Sequence, residues 1–353
     1  MPARAMAGPS LAKLVKMAIP LFCAAQCQCP RTGPGRRPEF ADWKIATLIL
    51  VAILKCRKSK SAQYRYLHEH RQKLKRWVGL KHFPSRTTYF ERYRGMHCLL
   101  ERAVLLQGRA AIAEGFVDPA TLAVDKTCIR ARGAPWHRWG PKQSRRLSGV
   151  DVQAGWGYSE YHGWVYGYGL ECVVTVTANS LVFPLVASVG PANFSERRSF
   201  LEKINQLPDS ARYALGDKGY DSNAIGESIE RRADGRPTGR RFICPMQRRP
   251  GNAKVGQYPV RGQRGRLLQH RRERLAFYES PEGRRLYRRR KRIEPFHDWY
   301  KQRFGLDQRV WHRGLQNNQT QMVMAVFAYQ LLVRYNCRHA RMNGQIQWIL
   351  DCI

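Results

Sequence analysis

The chain has 353 residues, 43% of them apolar, which is enough to bury the core of one large or two ordinary domains and excludes a disordered chain. Its 62 Lys and Arg against 26 Asp and Glu give a formal net charge of +36, which favours a polyanionic partner, either nucleic acid or an anionic membrane surface. The longest apolar run, residues 45–54, is too short to cross a bilayer, so nucleic acid is the favoured partner and no membrane association is expected.

Several kinds of site are not supported by the sequence. The ten cysteines are scattered and include no C-x-x-C pair, which argues against a zinc site and favours reduced thiols of a cytosolic protein. Neither a G-x-x-x-x-G-K-S/T loop nor a Ser-His-Asp order is present, so ATP hydrolysis and acyl transfer are not indicated.

The amino-terminal part divides into an arm and a helical region. Residues 1–40 are rich in Pro, Gly, Arg and Ala, which predicts a basic arm without regular structure. From Trp43 the pattern is helical: a buried helix over 45–54, then one over 61–78 that ends at Gly79. A further helix begins after Pro84 and can be capped by Ser85.

The helix after Pro84 carries Arg86, Arg92 and Arg94 and follows the preceding helix through a short turn. This layout suits insertion into a DNA groove, and Arg86 and Arg92 are the candidate DNA contacts. An ordinary helical bundle with basic outer faces is the alternative.

The first predicted strand, TLAVDKTCIRAR, follows a helix over 98–113 and places Asp125 in mid-strand. Burying a carboxylate there costs free energy unless it takes part in catalysis or pairs with a cation. An Asp on an edge strand that faces water is also compatible with the pattern. The basic loop that follows contains Trp136 and Trp139, which either stack on unpaired bases or pack against the loop itself.

Residues 150–189 predict two antiparallel strands separated by a turn at 178–180. Asp151 and His162 lie in this region and rank below Asp125 as ligands, Asp151 being the acid most easily mistaken for one. A helix from about Asn193 then leads to the strand RYALGDKGY, which contains Asp217.

A helix and a strand follow Asp217, then a segment without regular pattern from 248 to about 270. Residues 231–292 hold 19 Arg and 2 Lys against 4 acids, a density that requires a polyanion or screening solvent. From about residue 317 an apolar helix is predicted to pack over the sheet.

The segment YRRRKRIEPFHDWYK places Tyr287, Arg290, Glu294 and Lys301 on one helical face, at about 100° per residue. An acid between two cations and a ring suits a site for a metal ion and a phosphodiester. The alternative is a solvated basic helix that carries one Glu.

These four residues resemble the Y-R-E-K motif of bacterial and archaeal insertion-sequence transposases with a D-D-E active site, in the insertion sequence four/five-like superfamily. Asp217 lies in a stretch similar to the family's D-K-G-Y-D, and Asp125 lies in one that resembles its D-x-T. The resemblance covers roughly residues 41–345.

The resemblance implies an α/β fold: a ribonuclease-H-like mixed sheet flanked by helices, with an N-terminal helical DNA-binding region. The expected division is a basic arm (1–40), the helical region (41–115), the D-D-E catalytic domain (116–345) and a short tail (346–353). The first and fourth strands would be neighbours, which would bring the two aspartates together.

The resemblance further implies that Asp125, Asp217 and Glu294 bind Mg²⁺, with Mn²⁺ as a substitute, and catalyse the cutting of element ends and their joining to target DNA. Tyr287, Arg290 and Lys301 would contact the DNA. The partners implied are the inverted-repeat ends, target DNA and a second copy of the chain, in a prokaryotic cytoplasm near the nucleoid. A degenerate, non-catalytic DNA-binding protein and a nuclease without strand transfer are the alternatives.

Overall fold

The computed structural model describes residues 8–29, 38–134, 149–159, 163–232, 234–247, 262–339 and 344–353, with side chains from residue 269 onward in the helix that starts at 262. Within these residues the chain forms a six-stranded mixed sheet with helices packed around it. One hydrophobic core runs from the first helix to the last, so the amino-terminal helices share their buried surface with the sheet and its covering helices.

The first helix, α1 (Leu11–Gln28), lies within the segment predicted to be an irregular arm, and that prediction is wrong for these residues. Ser10 caps α1 by accepting a hydrogen bond from the Lys13 N–H. A stripe of buried side chains at helical spacing, which includes Leu14, Ala18 and Phe22, packs α1 against α2 (Asp42–Leu54) and α6 (His97–Ala113).

Between α2 and α6 lie three short helices, α3 (Lys60–Glu69), α4 (Arg71–Val78) and α5 (Arg86–Arg94). The predicted helix over 61–78 is therefore two helices that meet at His70. Gly79 ends α4 in the left-handed conformation with φ of 64°. Ser85 caps α5 through the Thr88 N–H, as its sequence predicts.

The sheet contains β1 (Thr121–Arg130), β2 (Gly155–Ser159), β3 (Gly163–Thr175), β4 (Pro184–Pro191), β5 (Tyr213–Leu215) and β6 (Arg241–Ile243). Its order is β2-β3-β1-β5-β6, and β4 also pairs with β3. The contacts of β3 with β1, β2 and β4 are antiparallel, whereas β5 pairs in parallel with both β1 and β6.

The sheet confirms the ribonuclease-H-like mixed α/β class, with two differences from the sequence prediction. Three strands, not two, follow β1, because β2 and β3 form a hairpin ahead of β4. The next helix, α7 (Glu196–Leu201), is short and is capped by Ser195 rather than Asn193. A 3₁₀ turn, Ile204–Gln206, then leads to β5.

Beyond β5 come a 3₁₀ turn (Lys218–Tyr220), α8 (Asn223–Glu230) and β6. Helix α9 (Gly262–Glu279) shows that the segment predicted to be irregular as far as 270 is helical from 262. The helix predicted over 287–301 is interrupted: α10 (Pro281–Arg288) passes into a 3₁₀ turn (Arg289–Arg292) before α11 (Ile293–Arg303).

The apolar helix predicted from about residue 317 is α12 (Leu315–Arg338), which is buried over most of its length and packs on β4 and α6. A last helix, α13 (Gln347–Cys352), follows it. Of the helices in the described part of the chain, none has the length and apolar character needed to span a bilayer.

Candidate active site

The two aspartates of the site sit side by side because their strands are parallel neighbours. In the β1–β5 pair Ala123 lies opposite Leu215, and each aspartate follows two residues later, Asp125 within β1 and Asp217 just past the end of β5. Since side chains two residues apart along a strand share a face, both carboxyl groups emerge at the same edge of the sheet.

Asp217 also builds the turn that follows β5. Its Oδ1 accepts a hydrogen bond from the Gly219 N–H at 2.8 Å and caps the 3₁₀ turn. A Cβ on Gly219 would lie 2.5 Å from Glu196 Oε2 and 2.9 Å from Asp217 Oδ1. The glycine of the D-K-G stretch therefore gives two carboxylates room to approach each other.

Arg290 connects Asp125 to the glutamate. Its Nη1 lies 3.7 Å from Asp125 Oδ1 and its Nη2 lies 3.8 Å from Glu294 Oε1. The Glu294 side chain, in the first turn of α11, is 56% exposed. One guanidinium thus faces both an enclosed acid and an open one.

The electrostatics of Asp125 favour a cation at this position. Burial raises its pKa to about 7, the Arg290 guanidinium opposes the shift, and the neighbouring Asp217 carboxylate adds to it. Burial disfavours the Arg290 cation, but the surrounding acids, Asp125 foremost, raise its pKa overall. The carboxylates therefore require positive charge, and Arg290 supplies it here.

Tyr287 and Lys301 flank this group. Burial raises the pKa of Tyr287 to about 12, and the ring lies 5.9 Å from the Arg290 guanidinium and 5.1 Å from the Tyr278 ring. Burial lowers the pKa of Lys301, while Asp298, Cys128 and Asp125 raise it, which places the ammonium near β1. The four residues of the Y-R-E-K pattern thus remain grouped although their helix is interrupted.

His297 is a neighbour of the site that the sequence analysis missed. Its Nε2 lies 3.8 Å from Asp125 Oδ2, and within the described part of the chain neither ring nitrogen has a hydrogen-bond partner. Burial lowers its pKa to about 3, so the ring is neutral. Its position three residues after Glu294 on the same helical face is the signal that could have identified it.

Glu196 and Lys126 were also missed. Lys126 Nζ lies 2.8 Å from Glu196 Oε1 and donates a hydrogen bond of 3.1 Å to the Ala192 carbonyl. This lysine fixes the start of α7, and with it the Glu196 carboxylate beside Gly219. No motif in the sequence marks Glu196, because only the fold brings it near Asp217.

A divalent cation fits this donor set in part. Asp125, Asp217 and Glu196 offer hard carboxylate oxygens, and the pKa of Asp125 is raised first by burial and then by the neighbouring Asp217 carboxylate. In the described ranges, however, no group of three or more His, Cys, Asp or Glu side chains has the closeness needed to hold an ion. Glu294 in particular faces Arg290.

Asp151 lies elsewhere and is structural. Its Oδ2 accepts a hydrogen bond of 2.8 Å from the Tyr168 hydroxyl and one of 3.1 Å from the Gly314 N–H, ahead of α12. The tryptophans Trp136 and Trp139, and His162, lie outside the described residues.

The two arginines proposed as DNA contacts on α5 differ in their surroundings. Arg86 is exposed, its Nη2 lies 3.3 Å from Ser61 Oγ, and its guanidinium covers the Phe90 ring at 5.2 Å. Arg92 forms an ion pair with Asp42 of α2 and keeps only 13% of its side chain exposed. Arg92 would have to leave that pair to reach a phosphate.

Taken together, a mixed sheet with two aspartates at one edge and a glutamate on a later helix defines a ribonuclease-H-like domain of the D-D-E class. The family model for the transposase DDE domain matches residues 118–331, and the chain belongs to this family of insertion-sequence transposases. Membership supports a nuclease or recombinase of the transposase type that binds DNA. A comparison with curated proteins finds no match.

Proposed function

We propose that the protein is a DNA transposase of the Y-R-E-K type that cuts the ends of its insertion sequence and joins them to target DNA. The observation that carries the proposal is the placement of Asp125 and Asp217 two residues beyond the Ala123–Leu215 pair, with Arg290 linking Asp125 to Glu294. Two aspartates thereby lie at one sheet edge and a glutamate faces the same arginine, in a chain with a net charge of +36.

Asp125, Asp217 and Glu294 are the residues we assign to metal binding, with Mg²⁺ as the ion and Mn²⁺ as a substitute. Bound divalent ions would activate the attacking oxygen and neutralise the attacked phosphate. Among the ion pairs of the described residues, the exposed Glu294 carboxylate contacts only the Arg290 guanidinium, which also faces Asp125.

Arg290, Lys301 and Tyr287 would hold the DNA strand at this site. With a cation held by the carboxylates, the Arg290 guanidinium would be available to bind a phosphate, for which its fork of donors is well suited. Lys301 adds a second positive charge beside β1, and the Tyr287 ring lies next to the arginine. These contacts position the phosphate for in-line attack.

The remaining assignments follow from this activity. The inverted-repeat ends and target DNA are the partners, and a homodimer assembled on two ends is the active form, in the prokaryotic cytoplasm at the nucleoid. We propose that the helices of residues 41–115 recognise the ends, with Arg86 as a contact, and that residues 116–345 form the catalytic domain.

Two other functions are compatible with the family: a degenerate DNA-binding protein, and a nuclease that does not join strands. The test uses a supercoiled plasmid carrying the gene with its flanking DNA, incubated with the full chain and Mg²⁺. We expect cut and joined products from the wild type and from Glu202→Gln, which removes an exposed surface acid, and none from Asp125→Asn. Cut products without joined products would support the nuclease. The absence of both kinds of product would support the degenerate DNA-binding protein.

A further inference from the structure

A second group of cations lies away from the carboxylates, where the segment after α11 meets the amino-terminal helices. Lys58 Nζ and the Arg309 guanidinium lie 4.9 and 5.5 Å from the centre of the Trp311 ring. Lys60 Nζ lies 5.1 Å from the Phe90 ring and 5.7 Å from the Tyr93 ring. Arg94 and Arg132 are neighbours, and we call the five cations the Trp311 surface.

The charge of this surface is not balanced by acids. Across the described residues no ion pair joins its five cations to a carboxylate, and Lys60 Nζ instead lies 3.0 Å from Asn317 Oδ1. Burial and the Arg94 cation lower the pKa of Lys60, and burial with Lys60 and Arg132 lowers that of His312 to about 3. Mutual repulsion of this kind is relieved when an anion binds.

The Trp311 surface continues the sheet edge that holds the aspartates. Past the end of β5, the Val310 N–H donates a hydrogen bond of 2.8 Å to the Arg130 carbonyl, at the last residue of β1. Arg132 Nη1 lies 3.4 Å from the Trp311 carbonyl oxygen. From Asp125 to Arg130 a strand covers about 17 Å, which is roughly half a turn of B-form DNA.

Trp311 holds its cations in place before any ligand arrives. The indole N–H donates a hydrogen bond of 2.6 Å to the Gly305 carbonyl, which fixes the ring. Cations held over a ring have less side-chain freedom to lose on binding, so they bind an anion at a lower entropic cost.

We propose that the Trp311 surface binds the phosphate backbone of the duplex that flanks the cleaved phosphate, about half a helical turn from Asp125. Its ligand is DNA, so this inference rests on the proposed function. The surface takes residues from both the helical region and the catalytic domain, which means that DNA contacts on the two sides of that division form one continuous track.

The test measures the affinity of the full chain for a duplex of about three helical turns, over a range of salt and without divalent metal. The variant is Lys58→Gln with Arg309→Gln. The matched control is Lys16→Gln with Arg212→Gln, which removes the same charge from exposed positions on α1 and just ahead of β5, outside the helical region of residues 41–115. We expect the slope of log affinity against log salt to fall by about two for the variant and to change little for the control.

A third variant, Trp311→Leu, tests the positioning role because it removes no charge. We expect this variant to bind the duplex more weakly, with an unchanged slope of log affinity against log salt. Its circular dichroism spectrum should equal that of the wild type, which would show that it is folded. If Trp311→Leu is misfolded, the two double variants decide the proposal. All four cations that they replace are exposed, so these substitutions should not disturb folding.

The outcomes separate this inference from the proposed function. A wild type that does not bind DNA would overturn both. A wild type that binds, with the Lys58 and Arg309 variant no different from the Lys16 and Arg212 control, would overturn the Trp311 surface alone. Normal binding by Trp311→Leu would overturn the positioning role of the ring.

Discussion

Asp125 and Asp217 occupy matching positions on adjacent parallel strands, each two residues beyond the paired Ala123 and Leu215. Because β5 ends at Leu215 while β1 continues to Arg130, Asp125 stays within the sheet and Asp217 starts a turn. Asp125 is thereby enclosed, and burial raises its pKa to about 7. Because β5 does not extend along the rest of β1, that edge of β1 can contact another group.

Arg290→Gln should separate metal binding from cleavage. The guanidinium is 3.7 Å from Asp125 Oδ1, so a cation entering beside Asp125 meets like charge. We expect the variant to bind Mn²⁺ several-fold more tightly, measured by electron paramagnetic resonance titration, and to lose most strand cleavage because a phosphate contact is gone. Arg288→Gln, an exposed arginine on α10, should change neither quantity. An unaltered Mn²⁺ affinity in Arg290→Gln would falsify the assignment of Arg290 as the countercharge.

Gly219→Ala should disable the site through its carboxylates. The added Cβ would lie 2.5 Å from Oε2 of Glu196, whose other oxygen, Oε1, lies 2.8 Å from Lys126 Nζ. It would also lie 2.9 Å from Asp217 Oδ1, so one of the two carboxylates must move. We expect cleavage to be lost and stability to fall by about 1–3 kcal/mol in urea denaturation. The control is Gly149→Ala, whose Cβ would enter open space. Normal cleavage by Gly219→Ala would show that the spacing of these carboxylates is not critical.

The site shows what local sequence specifies. Asp125 lies within β1, as the β-rich run around it predicts, whereas Asp217, which the sequence places in the predicted strand RYALGDKGY, lies past the end of β5 and caps a turn. The pairing of their strands is a long-range property, because the register of Ala123 with Leu215 depends on helices and strands between them. Without the family resemblance, the sequence could not have brought the aspartates together.

The prediction of an irregular arm over residues 1–40 is wrong for α1 because of where the Pro and Gly residues lie. The Pro and Gly residues that suggested irregular structure are concentrated around residues 30–38, whereas residues 11–28 carry a helical stripe of Leu14, Ala18 and Phe22. The composition of residues 1–40 as a whole does not reveal that stripe, and the helix accommodates Pro20 at an exposed position. Residues 11–28 taken alone show the helical spacing that predicts α1.

Arg92→Gln and Arg86→Gln should have opposite effects, although the two arginines look equivalent in the sequence. Arg92 is paired with Asp42 and keeps 13% of its side chain exposed, so its removal takes a close countercharge away from a mostly buried carboxylate. We expect Arg92→Gln to lower the free energy of unfolding by about 3 kcal/mol or more and to leave DNA affinity nearly unchanged below its unfolding temperature. Arg86→Gln should weaken DNA binding and spare stability. Reversed results would place Arg92 in the DNA interface.

Glu171→Gln should change how stability depends on pH. Glu171, on β3, is buried, accepts hydrogen bonds from the Ser199 and Tyr220 hydroxyls at 2.7 and 3.0 Å, and has its pKa raised by burial to about 7 from an ordinary value of 4.5. Between these pH values the folded chain holds a proton that the unfolded chain has released, so wild-type stability should fall as pH rises from about 4.5 to about 7. The glutamine lacks this titration; its oxygen can accept one of the two hydrogen bonds, and its amide group can donate the other to a hydroxyl oxygen. The melting temperature of the variant relative to the wild type should therefore rise across that window and level off above it.

Glu202→Gln, at an exposed acid, should show no such trend, and a constant difference between Glu171→Gln and the wild type from pH 4.5 to 8 would mean that Glu171 is ionised throughout.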